Sequence, residues 1–123
     1  MLSQLLKIKQ CRETGLRNRA RRLDAELQAG KAAREKGKAD QATLRDEWRA
    51  ASKAEQAVAG TAFRKLKESL HGFYESEQLL REKLRELAGE VEETGRRSHE
   101  TGERLKANLR GQEKLMVVIE ERK

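Results

Sequence analysis

The stretch Phe63-Arg-Lys-Leu66-Lys-Glu-Ser-Leu70-His-Gly-Phe73-Tyr-Glu-Ser-Glu77-Gln-Leu-Leu80-Arg-Glu-Lys-Leu84-Arg-Glu-Leu87-Ala-Gly-Glu-Val91 decides the fold. Phe63, Leu66, Leu70, Phe73, Leu80, Leu84, Leu87 and Val91 recur at alternating steps of three and four, with Glu77 in the one polar seam position. At 3.6 residues per turn such steps return to one helix face, which is the pattern of a coiled-coil seam. Downstream the seam passes through Thr94, Ser98 and Thr101 before it becomes apolar again at Leu105, Leu115 and Ile119.

The same rule applied to the first half picks out Leu2, Leu6, Leu16, Ala20, Leu23, Leu27, Gly30, Gly37, Leu44, Trp48 and Ala51. Lys9, Glu13, Arg34 and Gln41 also fall on it, so this helix needs a partner surface. The other half of the chain is the obvious one. Gly60 lies near the midpoint of the 123 residues, between two periodic halves of similar length. The expected fold is therefore all-α: a single long antiparallel two-helix coiled-coil hairpin, with a first arm over about 1–52, a turn over about 53–62 and a second arm over about 63–121. Gly72 is a second candidate for the turn.

Composition agrees. The chain has no proline to interrupt a helix, and 40% of its residues are charged against 3% aromatic, which leaves little for a globular core. Nine glycines soften this picture, each costing about 1 kcal/mol relative to alanine inside a helix. Gly30 and Gly37 are one heptad apart on the seam, and Gly95 and Gly102 one heptad apart beside it. Either the two backbones approach closely there or the middle is loosely packed; loose packing would make Gly30→Ala and Gly37→Ala stabilising.

The constellations that carry catalysis are missing. Gly30-Lys31 and Gly37-Lys38 lack the spacing and the following Ser or Thr of a phosphate loop. His71, His99 and Cys11 are too scattered for a metal site, and Glu92-Glu93 and Glu120-Glu121 read as solvated surface charges. No enzyme activity, cofactor or metal is expected. The lone Cys11 allows no internal disulfide, and neither a signal peptide nor a membrane-crossing segment is legible, so a cytoplasmic location is expected.

Charge is concentrated at one end. Lys7, Lys9, Arg12, Arg17, Arg19, Arg21 and Arg22 stand against Glu13 alone within residues 1–22, which accounts for six of the chain's seven net positive charges. Such an end attracts an anionic surface. Nucleic acid is not the expected one, because no aromatic or base-reading residues are interleaved with the cations. Leu2, Leu5, Leu6 and Ile8 against Leu115, Val118 and Ile119 form the apolar cluster that would close this end.

The opening Leu5-Leu6-Lys7-Ile8-Lys9-Gln10-Cys11-Arg12, followed by Ala20 and Leu23, resembles the "L-x-I-K-x-x-R" start of the YscO and FliJ type proteins of type III secretion systems. Trp48-Arg49 near the end of the first arm and the apolar close Lys114-Leu-Met-Val-Val-Ile-Glu120 are similar to that family too. The resemblance implies a cytoplasmic central stalk, peripheral to the secretion apparatus at the inner membrane and not inserted in it. Its paired ends would enter the pore of the hexameric export ATPase, as the gamma subunit does in rotary ATPases. It further implies contact with the cytoplasmic domain of the export gate and the handling of secretion chaperones. A competing reading is a coiled-coil adaptor whose seam binds client helices, and a third is a basic nucleic-acid or membrane-surface binder that depends on residues 1–22 alone.

Overall fold

The computed structural model describes residues 1–56 and 62–122. They form two α-helices, α1 over Leu2–Gln56 and α2 over Ala62–Glu121, with no strand among the described residues. The chain is an all-α helical hairpin, as two complementary seams require. The expected turn is displaced at its start, since helix continues through residues 53–56. Residues 57–61, Gly60 among them, lie outside the described residues, as does the side chain of Phe63. Gly72 lies inside α2 and makes no turn.

The helices divide into two compact units: Met1–Ala29 with Val91–Lys123, and Gly30–Glu90. In the first, the Lys9 side chain lies over Gly111, Gln112 reaches Lys9 and Glu13, and Leu27 reaches Gly95. In the second, Gly37 meets Leu84, Arg45 pairs with Glu77, and Trp48 stacks on Phe73. In both, partner numbers rise on α1 as they fall on α2, so the pairing is antiparallel.

The covered face of α1 follows the seam through Leu2, Leu6, Lys9, Glu13, Leu16, Ala20, Leu23 and Leu27 in the first unit. In the second it runs through Gly30, Arg34, Gly37, Gln41, Leu44 and Trp48. On α2 it includes Leu66, Phe73, Glu77, Leu80, Leu84, Leu87, Val91, Thr94, Ser98, Thr101, Leu105, Leu115 and Ile119. Among the described residues Leu23, 7% exposed, is the only buried hydrophobic side chain, and none is fully enclosed. Two helices cover each other on one side only, so the fold rests on many half-buried contacts, each returning part of the roughly 1.5–3 kcal/mol of a fully buried leucine.

Two seam expectations are corrected. Ala51 and Leu70 face outward, and Ser52 and Ser69 take the covered positions. Both exchanges flank an aromatic pair. The Trp48 and Phe73 rings stack with centroids 5.0 Å apart and planes 22° from parallel. Around them both helices take two successive steps of four, Leu44 to Trp48 to Ser52 and Ser69 to Phe73 to Glu77, where the strict heptad would alternate four and three. The exchange has a cost. The Ser52 hydroxyl is buried with no hydrogen-bond partner among the described residues, a loss of about 1–3 kcal/mol.

The glycines of the middle behave differently from one another. A Cβ on Gly37 would come 2.6 Å from Leu84 Cδ2, inside any real carbon–carbon contact, whereas one on Gly102 would meet nothing within 4 Å. At Gly37 the helices therefore approach closely, and of the two packings open for the glycines close approach holds there. The methyl of an alanine would have to push the end of the half-buried Leu84 side chain out of its place in the seam. Overpacking costs about 1–3 kcal/mol, against about 1 kcal/mol returned by helix propensity. Gly37→Ala is predicted to lower the melting temperature and Gly102→Ala to raise it. Adding Leu84→Val to Gly37→Ala should recover part of the loss in thermal unfolding, a non-additivity that marks direct contact.

Candidate functional site

The first unit joins the beginning of α1 to the end of α2, and most of the residues singled out in the sequence meet there. Neither helix end is favourable alone. The first turn of α1 has no acidic residue to complement its positive pole, and Lys7 and Lys9 follow closely. The last turn of α2 has no basic residue, and Glu120 and Glu121 sit at its negative pole. Antiparallel pairing sets these opposite poles side by side, so each helix end compensates the other.

Leu2, Leu6, Leu115, Val118 and Ile119 are half-buried at this end, as an apolar closing cluster needs. Leu5 and Ile8, grouped with them in the sequence, instead point outward and are 46% and 49% exposed. Their positions lie off the four-three seam that carries Leu2, Leu6 and Lys9. Met116 and Val117 are exposed as well.

The seven cations separate into three kinds. Lys9 occupies the seam, half-buried, with its ammonium laid over the bare backbone of Gly111, 2.9 Å from where a Cβ would stand. Arg17 is tied to its own helix, its Nε donating to Glu13 Oε2 at 2.7 Å. Lys7, Arg12, Arg19, Arg21 and Arg22 are exposed and make no ion pair among the described residues. Trp48 and Arg49, the other residues drawn from the family resemblance, belong to the second unit. There Trp48 is half-buried against Phe73 and Arg49 is exposed.

A polar layer beneath the cations escaped the sequence reading. Gln112 is buried, and its Nε2 donates to Asn108 Oδ1 at 2.7 Å, to Glu13 Oε1 at 2.9 Å and more weakly to the Lys9 carbonyl at 3.5 Å. Asn108 and Gln112 are the seam positions between Leu105 and Leu115, so extending the heptad through them would have found the layer. A polar group in an otherwise apolar seam fixes register, because any slip leaves it unpaired. Here the layer also positions the cationic segment, since Glu13 takes hydrogen bonds from both Gln112 and Arg17.

Those bonds favour the ionised carboxylate. The hydrogen bond from Arg17, then that from Gln112, lowers the Glu13 pKa from its usual value, against a smaller opposing effect of burial. Its contribution to stability is therefore fully present above the ordinary carboxylate range and is lost as pH falls through the lowered value. Replacing Glu13 by Gln is predicted to lower the melting temperature at neutral pH and to leave it nearly unchanged in strong acid. The difference between wild-type and variant melting curves should close as pH drops below the carboxylate range.

Among the described residues, no group of three His, Cys, Asp or Glu side chains could hold a metal ion, and no helix is long and apolar enough to cross a membrane. In comparisons with known proteins, no family model matches the chain, and neither a curated protein nor a solved structure matches it.

Proposed function

We propose that the chain is a non-catalytic coupling stalk of a type III protein export apparatus, acting in the cytoplasm at the inner membrane. The observation that carries this reading is the composition of the first unit. An α1 segment rich in unpaired Lys and Arg is bound to the apolar end of α2, with the register between them held by Gln112, Asn108 and Glu13. This is the form a binding end takes when it must enter a ring of other subunits as one piece. The cations steer the approach towards acidic or polar loops, and the outward Leu5, Ile8, Met116 and Val117 supply apolar contact once there. The partner is the hexameric export ATPase, which holds the catalytic residues. The export-gate cytoplasmic domain and secretion chaperones follow as further partners from the resemblance of residues 5–12 to the YscO and FliJ type.

A second reading, an adaptor for client helices, draws on the second unit, where Leu70 and Tyr74 are exposed one turn apart beside Arg64, Lys67 and His71.

The two differ in which residues matter. Reversing Arg12, Arg19, Arg21 and Arg22 to Glu is predicted to abolish capture of a purified export ATPase hexamer at low salt while helix content by circular dichroism stays near wild type. Replacing Leu70 and Tyr74 by Ser should leave that capture intact. ATPase binding that survives the arginine reversal would remove the stalk assignment.

A further inference from the structure

Besides its seam, α1 carries a second stripe at alternating steps of three and four: Leu5, Ile8, Arg12, Gly15, Arg19 and Arg22, all exposed. Its first members are apolar and its later ones cationic. None of the three arginines has an ion pair among the described residues. On α2, the pairing of Lys9 with Gly111 and of Leu27 with Gly95 brings residues 101–103 to the level of Arg19. The carboxylate there, Glu103, is paired with Lys106 on its own helix, so the hairpin itself leaves the charge of this stripe without a partner.

Spacing and composition say what would cover it. The stripe repeats at the 3.5-residue period of a coiled coil, with successive members about 5 Å apart along the helix, and another α-helix presents side chains at that same interval. Nucleic acid fits less well: all the chain's aromatic residues lie outside Met1–Ala29 and Val91–Lys123, and phosphates have no use for Leu5 and Ile8. The covering helix must offer an apolar residue first and carboxylates after it.

The chain contains that helix. On the outer face of α2, Leu79 is 67% exposed and is followed by Glu82, Glu86 and Glu90 at steps of three, four and four. These three carboxylates are exposed and have no ion pair among the described residues. Both stripes run from apolar to charged in chain direction, so they match in parallel. Setting Ile8 level with Leu79 places Gly15 opposite Glu86 and Arg19 opposite Glu90, with Arg12 at the level of Lys83, one residue past Glu82 and one turn before Glu86. The missing side chain at Gly15 leaves room for Arg12 and Arg19 to converge on Glu86. Across this stretch α1's own partner is the segment from Gly95 to Gln112, which leaves the stripe open to the acidic face of a second molecule.

We infer that the chain self-associates, the stripe Leu5–Arg22 of one copy docking on the Leu79–Glu90 stripe of another. The contact joins two different surfaces, is built largely of exposed ion pairs, and is therefore weak and salt-sensitive.

Sedimentation velocity of the purified full chain, without any partner protein, tests this. At low salt and rising concentration the mass should climb from the 14.1 kDa monomer to a multiple of it, and return to the monomer in high salt. The triple variant Arg12→Glu, Arg19→Glu, Arg22→Glu and the triple variant Glu82→Lys, Glu86→Lys, Glu90→Lys should each be monomeric. Mixed in equal amounts they should associate again, because each then offers the other an oppositely charged stripe. That restoration separates docking from misfolding of either variant. A wild-type chain that stays monomeric near millimolar concentration overturns the inference and assigns the stripe to a foreign acidic helix. Association that survives both reversals, or that the mixture fails to restore, overturns it as well. Because no ATPase is present, these outcomes are independent of the stalk proposal.

Discussion

Everything in this molecule depends on two helices that are each too polar to stand alone and that share one seam. The first contributes Lys9, Glu13, Gly30, Arg34, Gly37 and Gln41 to the contact face, the second Glu77, Thr94, Ser98 and Thr101. Isolated helices gain little beyond propensity, and most helical stability comes from burying one face against a partner. With Leu23 the only buried hydrophobic side chain among those described, no single contact dominates. Antiparallel pairing also brings together the helix poles that each sequence leaves uncompensated, so backbone electrostatics and side-chain burial favour the same arrangement.

A seam this thin has to be held in register by something other than bulk. In the first unit this falls to Gln112, whose amide is spent on Asn108, Glu13 and the Lys9 carbonyl. In the second it falls to the close contact of Gly37 with Leu84 and to the stack of Trp48 on Phe73. The two devices differ physically. A buried amide penalises a slip through lost hydrogen bonds, while a glycine notch filled by a leucine penalises it through steric overlap.

The division bears on function. The first unit has no aromatic residue and a surplus of unpaired cations, and its register is set by hydrogen bonds that respond to pH through Glu13. Such an end can meet an anionic surface without rearranging, because Arg12, Arg19, Arg21 and Arg22 make no ion pair among the described residues. Within residues 1–22 Arg17 is the exception, committed to Glu13. The same freedom makes the basic stripe available to the carboxylates of Glu82, Glu86 and Glu90 on another copy. Self-association and capture by an acidic ring would then compete for Arg19 and Arg22.

The heptad spacing alone determined the fold class, the antiparallel partnership and nearly every covered position, because a 3.6-residue helix turns sequence intervals directly into a face. The concentration of charge in residues 1–22 was equally legible, being a property of the chain and not of its packing. What only the tertiary structure decided lies where one helix answers to the shape of the other. Leu70 and Ala51 sit on the extrapolated seam, but beside the Trp48–Phe73 stack the covered positions fall on Ser69 and Ser52 instead. Gly30 and Gly37 look alike in sequence, and the close approach at Gly37 was decided by where Leu84 falls on the opposite helix. Leu5 and Ile8 were read as core because they are apolar, whereas a two-helix contact has room for only one narrow face and leaves them outside. Spacing along a chain fixes the direction each side chain takes from its own helix, while what it meets there depends on the register of the partner.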